Sequence, residues 1–382
     1  MSEAGVVLQI ASLAPPARFG GAERVVGHFA EALERAGFRV HNQGLKPRRH
    51  PGEPGSPINN IYWPFDGRRR GVAQRTLFHS VDTFTLAARR PVYELMKRLR
   101  PDVVITHNLR GWGYAPWVVA KELEIPLLHV VHDYGLLCNA TTLWNGGVCE
   151  GVCAPCRPRL RATRRRWPGG QMVGVSAAVL DEHRVRKMGD IDDAVVVHPT
   201  AAAQDPHCSP RPTLDGVPTT VGYLGRLSEA KGIDLLVAAI SGSGKRLIVA
   251  GEGEPSSVAS LEALAAGQVE WRGWMNPGSL FDEIDVLVVP SVWLEPFGLV
   301  VVEAARAGVP VLISERPGLL EAARASGARH ATFAAGDPRA LREALDRRLD
   351  SYVAEPNSTT ETDIVEVVSR LMTAGHRTGG AR

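Results

Sequence analysis

The chain has 382 residues, 44% hydrophobic and 22% charged, with a net charge of only +3. That length predicts two domains, and that composition is ordinary for a globular protein, which excludes a disordered or fibrous chain. No apolar run reaches the 18 residues needed to span a bilayer, and the start, MSEAGVVLQIASLAPP, lacks a basic leader; it reads as a first strand in a cytoplasmic chain. Residues 1–200 carry 27 Lys+Arg against 18 Asp+Glu, or +9, whereas residues 201–382 carry 17 against 23, or −6. This asymmetry favours two unlike domains and an anionic partner for the first. Nucleic acid is disfavoured, because the basic residues coincide with no aromatic-rich sheet or recognition helix.

In chain order, Val6–Ile10 reads as a strand. Gly20 and Gly21 then open a helix whose apolar residues Val25, Val26, Phe29 and Leu33 keep helical spacing, and residues 38–40 start the next strand. The two glycines allow close approach of a phosphate, or form a plain tight turn. The turn is not G-x-G-x-x-G and no acidic residue ends the second strand, so a dinucleotide enzyme is disfavoured. Residues 46–71, rich in Pro, Gly and Arg, read as a loop region, either solvated surface or acceptor-facing. Residues 72–100 read mostly as helix and 101–106 as a strand ending at His107 and Asn108.

Residues 125–131 form another strand, with His132 and Asp133 at its carboxyl end, where parallel sheets place ligands. His129, inside the strand, reads as a packing residue. Cys138, Cys149, Cys153 and Cys156 follow within nineteen positions. Their density suits a structural tetrahedral zinc; two disulfides or free thiols are the alternatives. Arg157–Arg166 carries six arginines, a solvated helix face or a contact for anionic lipid headgroups or an anionic acceptor. Residues 171–176 form a strand, with Ser176 as the N-cap of the next helix. Asp190 and Asp192 read as a polar turn, not a manganese motif. Residues 200–217, full of Ala, Pro and Asp, read as a linker between a domain of 1–199 and one of 218–361.

The second domain restarts with a strand at 219–224 and a loop, GRLSEAKG, that carries Arg226 and Lys231 into a helix at Ile233. Two cations at a strand end and a helix start would converge on one anion. Strands follow at 245–250 and 269–273, the first with a Gly-Glu-Gly turn after it. Residues 285–290 are a buried strand, 291–298 a loop and 299–307 a helix. Glu295 lies in that loop and Glu303 eight positions later inside an otherwise apolar helix, where an ionised carboxylate is costly unless paired. The amides of Phe297, Gly298 and Leu299 open the helix as an anion site. Carboxylates at both ends of a stretch of free amides suit a ligand with hydroxyls at both ends and phosphates between, such as a nucleotide sugar. Residues 362–374 are a last amphipathic segment.

Glu295 and Glu303 with Pro296-Phe297-Gly298 between them resemble the E-x7-E motif of family 4 retaining glycosyltransferases, and Arg226 with Lys231 resembles that family's G-R-x-x-x-x-K-G diphosphate site. The resemblance spans most of the chain. It implies the α/β GT-B fold, two Rossmann-like domains facing each other across a cleft, with a C-terminal helix of 362–382 crossing back to the first. It implies transfer of a sugar from a UDP- or GDP-sugar donor to a glycan, lipid-linked or small-molecule acceptor, without a catalytic metal. Arg226 and Lys231 would neutralise the departing diphosphate, Glu295 hold sugar hydroxyls, Glu303 grip the ribose and His132 orient sugar or acceptor. Gly20 and Gly21 would face the donor phosphate, and Trp274 and Met275 lie where base contacts are expected. Peripheral contact with an anionic inner-membrane face is a further expectation. The alternatives are another GT-B enzyme such as an epimerase or phosphorylase, a nucleotide-sugar-binding protein without turnover, and an adaptor using the arginine run.

Overall fold

The computed structural model describes residues 5–14, 20–45, 62, 64–65, 70–200, 215–265, 267–355 and 363–379, the last six by backbone alone. Most of the 46–71 loop and of the 200–217 linker, with Cys208, lies outside the described residues. The chain divides into two compact units: residues 1–142, 151–197 and 361–382 form the first, and residues 143–150 and 198–360 the second. The second unit therefore includes a short piece, Leu143–Glu150, from the middle of the first.

The first unit is a six-stranded parallel sheet. Its strands are β1 (Val6–Ile10), β2 (Arg39–Gln43), β3 (Val103–Thr106), β4 (Leu127–Val131), β5 (Gln171–Gly174) and β6 (Val195–Val196), in the order β2-β1-β3-β4-β5-β6. β3 and β4 are buried throughout, as their unbroken apolar runs require in a sheet covered on both faces. The helices are α1 (Gly21–Arg35), α2 (Val72–Phe84), α3 (Arg89–Leu99), α4 (Ala115–Glu122), α5 (Arg157–Arg166) and α6 (Ala177–Val185). The helix expected over 72–100 is two helices. The chain is extended at Thr85, and Pro91 sits in the first turn of α3, where its missing N–H costs nothing.

The second unit is a seven-stranded sheet. It contains β7 (Thr220–Leu224), β8 (Arg246–Ala250), β9 (Val269–Gly273), β10 (Val286–Val289), β11 (Val311–Ser314), β12 (Arg329–Phe333) and β13 (Val353–Ala354), ordered β13-β12-β11-β10-β7-β8-β9. All pairs are parallel except the edge pair β12–β13. Between the strands lie α7 (Ile233–Ile240), α8 (Pro255–Leu264), α9 (Pro277–Phe281), α10 (Leu299–Arg306), α11 (Pro317–Ser326) and α12 (Pro338–Leu345). A final helix, α13 (Ile364–Gly379), belongs to the first unit and packs on α1 and β3.

Each sheet reverses its strand order once: beside β1 and β3 in the first unit, and beside β7 and β10 in the second. Loops leaving two such strands diverge, and the crevice they leave at the carboxyl ends is where open α/β sheets bind ligands. In the second unit Asp285 fixes this seam. Its carboxylate accepts from the Thr219 amide and hydroxyl (2.8 and 2.9 Å) and the Thr220 amide (2.9 Å), tying the start of β10 to β7.

Candidate active site

The second unit's reversal point holds a closed polar cluster built from two loops. After β7 the chain turns through Gly225–Leu227, supported by the turn after β8: the Gly225 amide bonds the Ala250 carbonyl and the Leu227 amide the Glu252 carbonyl (3.0 and 2.8 Å). Any side chain on Gly251 would collide with the Gly225 carbonyl, so the close approach requires glycine there. A short 3-10 turn, Glu229–Lys231, then presents Lys231, and Gly232 follows in the left-handed region. The Ala230 carbonyl accepts from the amides of Val292 and Trp293 (3.0 and 3.2 Å), stitching this loop to the one after β10.

That second loop carries Glu295, 9% exposed. The Lys231 ammonium reaches both of its oxygens, at 2.8 and 2.7 Å, and lies 5.1 Å from the centre of the Trp293 ring. The Ser291 hydroxyl (2.9 Å) and the Trp293 indole N–H (2.8 Å) also donate to Glu295 Oε2. A carboxylate this buried is tolerated because a cation and two neutral donors satisfy it. Ser291 and Trp293 carried no motif; their signal is alternation, at positions four and two before Glu295, in an otherwise apolar stretch.

The loop ends at Gly298, at φ 104°, and α10 begins at Leu299 with no side-chain cap. No hydrogen bond from the Phe297, Gly298 or Leu299 amides is found among the described residues. Phe297 is buried and stacks on His198 at 5.3 Å, and His198 in turn bonds Glu321 at 2.8 Å. Glu303 is buried on the inner face of α10, 4% exposed. Arg226 is exposed. Its carbonyl accepts from the Tyr223 hydroxyl (2.7 Å), but no hydrogen bond or ion pair of its guanidinium is found among the described residues. Lys231, which with Arg226 is expected to meet one anion, is held here by Glu295. Trp274 is 70% exposed after β9.

The first unit's reversal point is organised differently. His107 follows β3 and His132 follows β4. His107 Nδ1 lies 2.8 Å from His132 Nε2, with the ring centroids 5.1 Å apart and the ring planes inclined by 29°. On its other side His107 Nε2 lies 2.9 Å from Gln9 Oε1 of β1. The Gln9 amide N–H group donates to the Val26 carbonyl of α1 (3.1 Å) and to Asn42 of β2 (2.9 Å). Burial pushes the His132 pKa down to about 3 and holds His107 well below the ordinary histidine value, so both rings are neutral. His129 is the packing residue expected: it bonds Thr106 at 2.8 Å and packs edge-on against Trp117. Gly20 is the exposed, extended N-cap of α1 and Gly21 its first residue.

Two basic or thiol-rich stretches behave unlike their sequence reading. Arg159 turns inward, bonding Asp82 (3.0 Å), Asn139 (2.8 Å) and the Gly135 carbonyl (3.2 Å), while Asp82 accepts from the Gly111 amide (2.7 Å). Arg164 bonds the carbonyls of Lys187 and Arg186, just past the end of α6. Two of the six arginines are therefore structural. Of the four cysteines, Cys156 Sγ donates to Cys138 Sγ at 3.9 Å, and that contact, with burial, raises the Cys156 thiol. Cys149 belongs instead to the turn of Leu143–Glu150, its amide bonding the Leu143 carbonyl (2.8 Å). Among the described residues no group of three or more His, Cys, Asp or Glu side chains is placed to hold a metal ion, so the zinc shell expected from the spacing is not assembled. No described helix is long and apolar enough to cross a membrane.

The comparisons with known proteins agree with the two-unit division. The family model "Glycosyltransferase Family 4" matches residues 19–199, and "Glycosyl transferases group 1" matches residues 218–351. An uncharacterized 42.6 kDa protein in the cps region of Klebsiella pneumoniae is 28% identical over 83% of this chain and 87% of its own. Glycogen synthase of Mycobacterium tuberculosis is 26% identical over 83% of this chain and 79% of its own. Among solved structures, HepE of Anabaena, in complex with UDP-glucose, superposes with a TM-score of 0.60 at 16% identity, covering 97% of this chain and 99% of that one. The two Rossmann-like units are those of a GT-B glycosyltransferase. Within that class, the chain belongs to the family 4 glycosyltransferases.

Proposed function

We propose that this glycosyltransferase moves a sugar, with retention of anomeric configuration, from a nucleotide-diphosphate sugar to an acceptor hydroxyl, and that no metal ion is needed for the transfer. The observation that carries the reading is the Lys231–Glu295 pair at the second unit's reversal point, followed by the uncapped N-terminus of α10. The HepE structure holds UDP-glucose, which makes a UDP-sugar the first donor to try.

Breaking the bond between sugar C1 and the phosphate oxygen leaves a second negative charge on the terminal phosphate of the departing diphosphate. Lys231, Arg226 and the amides of Phe297, Gly298 and Leu299 supply positive potential where that charge develops, usually the largest catalytic term. These groups do the work a divalent cation does elsewhere. As the diphosphate draws Lys231 away, Glu295 keeps the Ser291 and Trp293 donors and turns its freed oxygen toward the sugar hydroxyls. Glu303 takes the ribose diol. The acceptor oxygen attacks C1 from the face the phosphate leaves, and the phosphate oxygen takes the acceptor proton, so no protein nucleophile is required. His132, neutral at working pH, accepts a hydrogen bond from a substrate hydroxyl. Gly20 and Gly21 offer backbone for close approach of a phosphate.

The test is a thermal-shift panel of UDP- and GDP-sugars, followed by product analysis with the best binder. A specific donor should raise the melting temperature by mass action, and the product should keep the donor's anomeric configuration. Initial rates unaffected by EDTA are expected; an immediate manganese requirement would contradict the metal-free reading, and an inverted product the retaining one. Absence of any nucleotide-sugar shift would sink the donor assignment itself.

A further inference from the structure

The hydrogen-bond chain at the end of β1, β3 and β4 determines where the proton of His132 sits. The Val26 carbonyl can only accept, so the Gln9 amide must present its N–H group there, and its carbonyl oxygen faces His107. His107 Nε2 must then donate. A neutral imidazole has one proton, so His107 Nδ1 is an acceptor, and the ring nitrogen 2.8 Å away, His132 Nε2, must donate to it. The His132 proton is thereby used on Nε2. Its Nδ1, which makes no hydrogen bond among the described residues, is left with a lone pair.

We propose that Gln9 and His107 are positioning residues that lock His132 in its Nε2–H tautomer and reserve Nδ1 as an acceptor for a substrate hydroxyl. The substrate part rests on the role given to His132 above; the tautomer lock stands without it. A helix carbonyl in α1 thus sets the hydrogen-bonding sense of a side chain after β4, through two intermediaries drawn from β1 and β3. The Phe29 ring of α1 lies 6.1 Å from the His107 ring, tilted by 50° to it. Burial supports the lock, since neither ring gains a second proton near neutral pH. A substrate hydroxyl meeting Nδ1 would donate its proton, which orients its own lone pairs away from the ring. The tautomer lock therefore selects a donor group in the ligand and rejects an acceptor.

Histidine-selective ¹⁵N labelling of the full chain, read by long-range proton–nitrogen correlation at pH 7, tests this without any ligand. The His132 signals are identified by their loss in His132→Asn. The expected result is a protonated-type Nε2 and an unprotonated-type Nδ1. A proton on Nδ1, or on both nitrogens, overturns the proposal. Gln9→Glu retains an oxygen acceptor for His107 and should leave the pattern unchanged. Gln9→Met keeps the side-chain length but removes the carbonyl, and should shift the His132 Nε2 and Nδ1 resonances toward each other as the two tautomers mix. A Gln9→Met spectrum identical to wild type overturns the control by Gln9, and the wild-type spectrum stands as a test even where that variant does not fold. A confirmed Nε2–H tautomer together with full turnover in His132→Asn would retain the lock and sink the substrate role.

Discussion

The two units solve the same topological problem with opposite chemistry. Each sheet reverses its order once, and each places its polar residues at the carboxyl ends beside that reversal. In the second unit the residents are an ammonium and a carboxylate in direct contact, backed by Ser291 and Trp293. In the first they are neutral histidines and an amide in a chain of single hydrogen bonds. A charged pair can be drawn apart by a charged ligand, because the new ion takes over the role of one partner. A neutral relay has no such exchange to make; it presents a fixed donor and acceptor pattern. Under the proposed function, the difference would assign the handling of developing charge to the second unit and the reading of hydroxyl groups to the first.

The sharpest way to break this contrast is Lys231→Ala. Loss of a cation aimed at developing charge should lower turnover by about 100- to 1,000-fold. It also leaves Glu295 buried with only neutral donors, so some stability should be lost. Turnover near that of the wild type, measured as release of nucleoside diphosphate, would show that the charged cluster is not where the reaction is stabilised.

Gly318→Ala probes the same cluster through backbone alone. A Cβ at Gly318, in the first turn of α11, would run into the carbonyl of Glu295. Because the obstacle is backbone, relief requires the Glu295 loop to move. A destabilisation of about 1–3 kcal/mol is expected from such overpacking, with a weaker grip on the donor. An unchanged melting temperature and unchanged donor KM would mean that the loop position is not held as tightly as the contact implies.

For the first unit the lever is acid. Burial holds His132 at about 3 in the folded chain, against about 6.5 when unfolded. A depressed pKa means the unfolded state binds the proton first. The neutral ring is fully compatible with folding above pH 6.5, and stability falls as pH drops from there toward the folded value. At pH 5 the difference amounts to about 2 kcal/mol for His132 alone. Hydrogen-exchange protection in β3 and β4 should therefore fall between pH 7.5 and pH 5. Protection that is equal at both values would show that His132 is not held neutral by its surroundings.

Much of this contrast was legible in the sequence, and the part that was not has a physical cause. Glu303 stood out because a charge inside an apolar helix is costly and so conspicuous, and Arg226, Lys231 and Glu295 because they sit in loops between a strand end and a helix start. The strands around them were equally plain, since β-branched runs of four to six residues between glycines admit few readings. The His107–His132 contact was not legible, although both residues were seen at strand ends. Twenty-five positions separate them, and only the adjacency of β3 and β4 makes them neighbours. Gln9 was hidden more deeply: in a buried strand a lone amide looks like an interruption until its partners on α1 and β2 are known. Arg159 was misplaced for a related reason. A run of six arginines reads as one surface, but a helix distributes them around its axis, and one of them meets Asp82 inside. Cysteine spacing gave the neighbourhood, since Cys156 lies beside Cys138 and Cys153, but no metal-holding group of three or more is found among the described residues.

The smallest expected effect comes from the two helices that follow β5 and β10. Ser176 caps α6 by accepting the Val179 amide at 3.0 Å, so that helix end is already satisfied. Gly298 at the start of α10 offers no side chain to cap the opening amides, which the proposed function gives to the donor diphosphate. Ser176→Ala should cost about 1 kcal/mol of stability, the ordinary value of a lost cap, and leave the KM for donor unchanged, because no ligand depends on that end. Urea denaturation gives the first quantity and initial-rate kinetics the second. A raised donor KM in Ser176→Ala would place a donor contact at the first unit's capped helix, and the division of labour between the neutral and the charged reversal points would no longer hold.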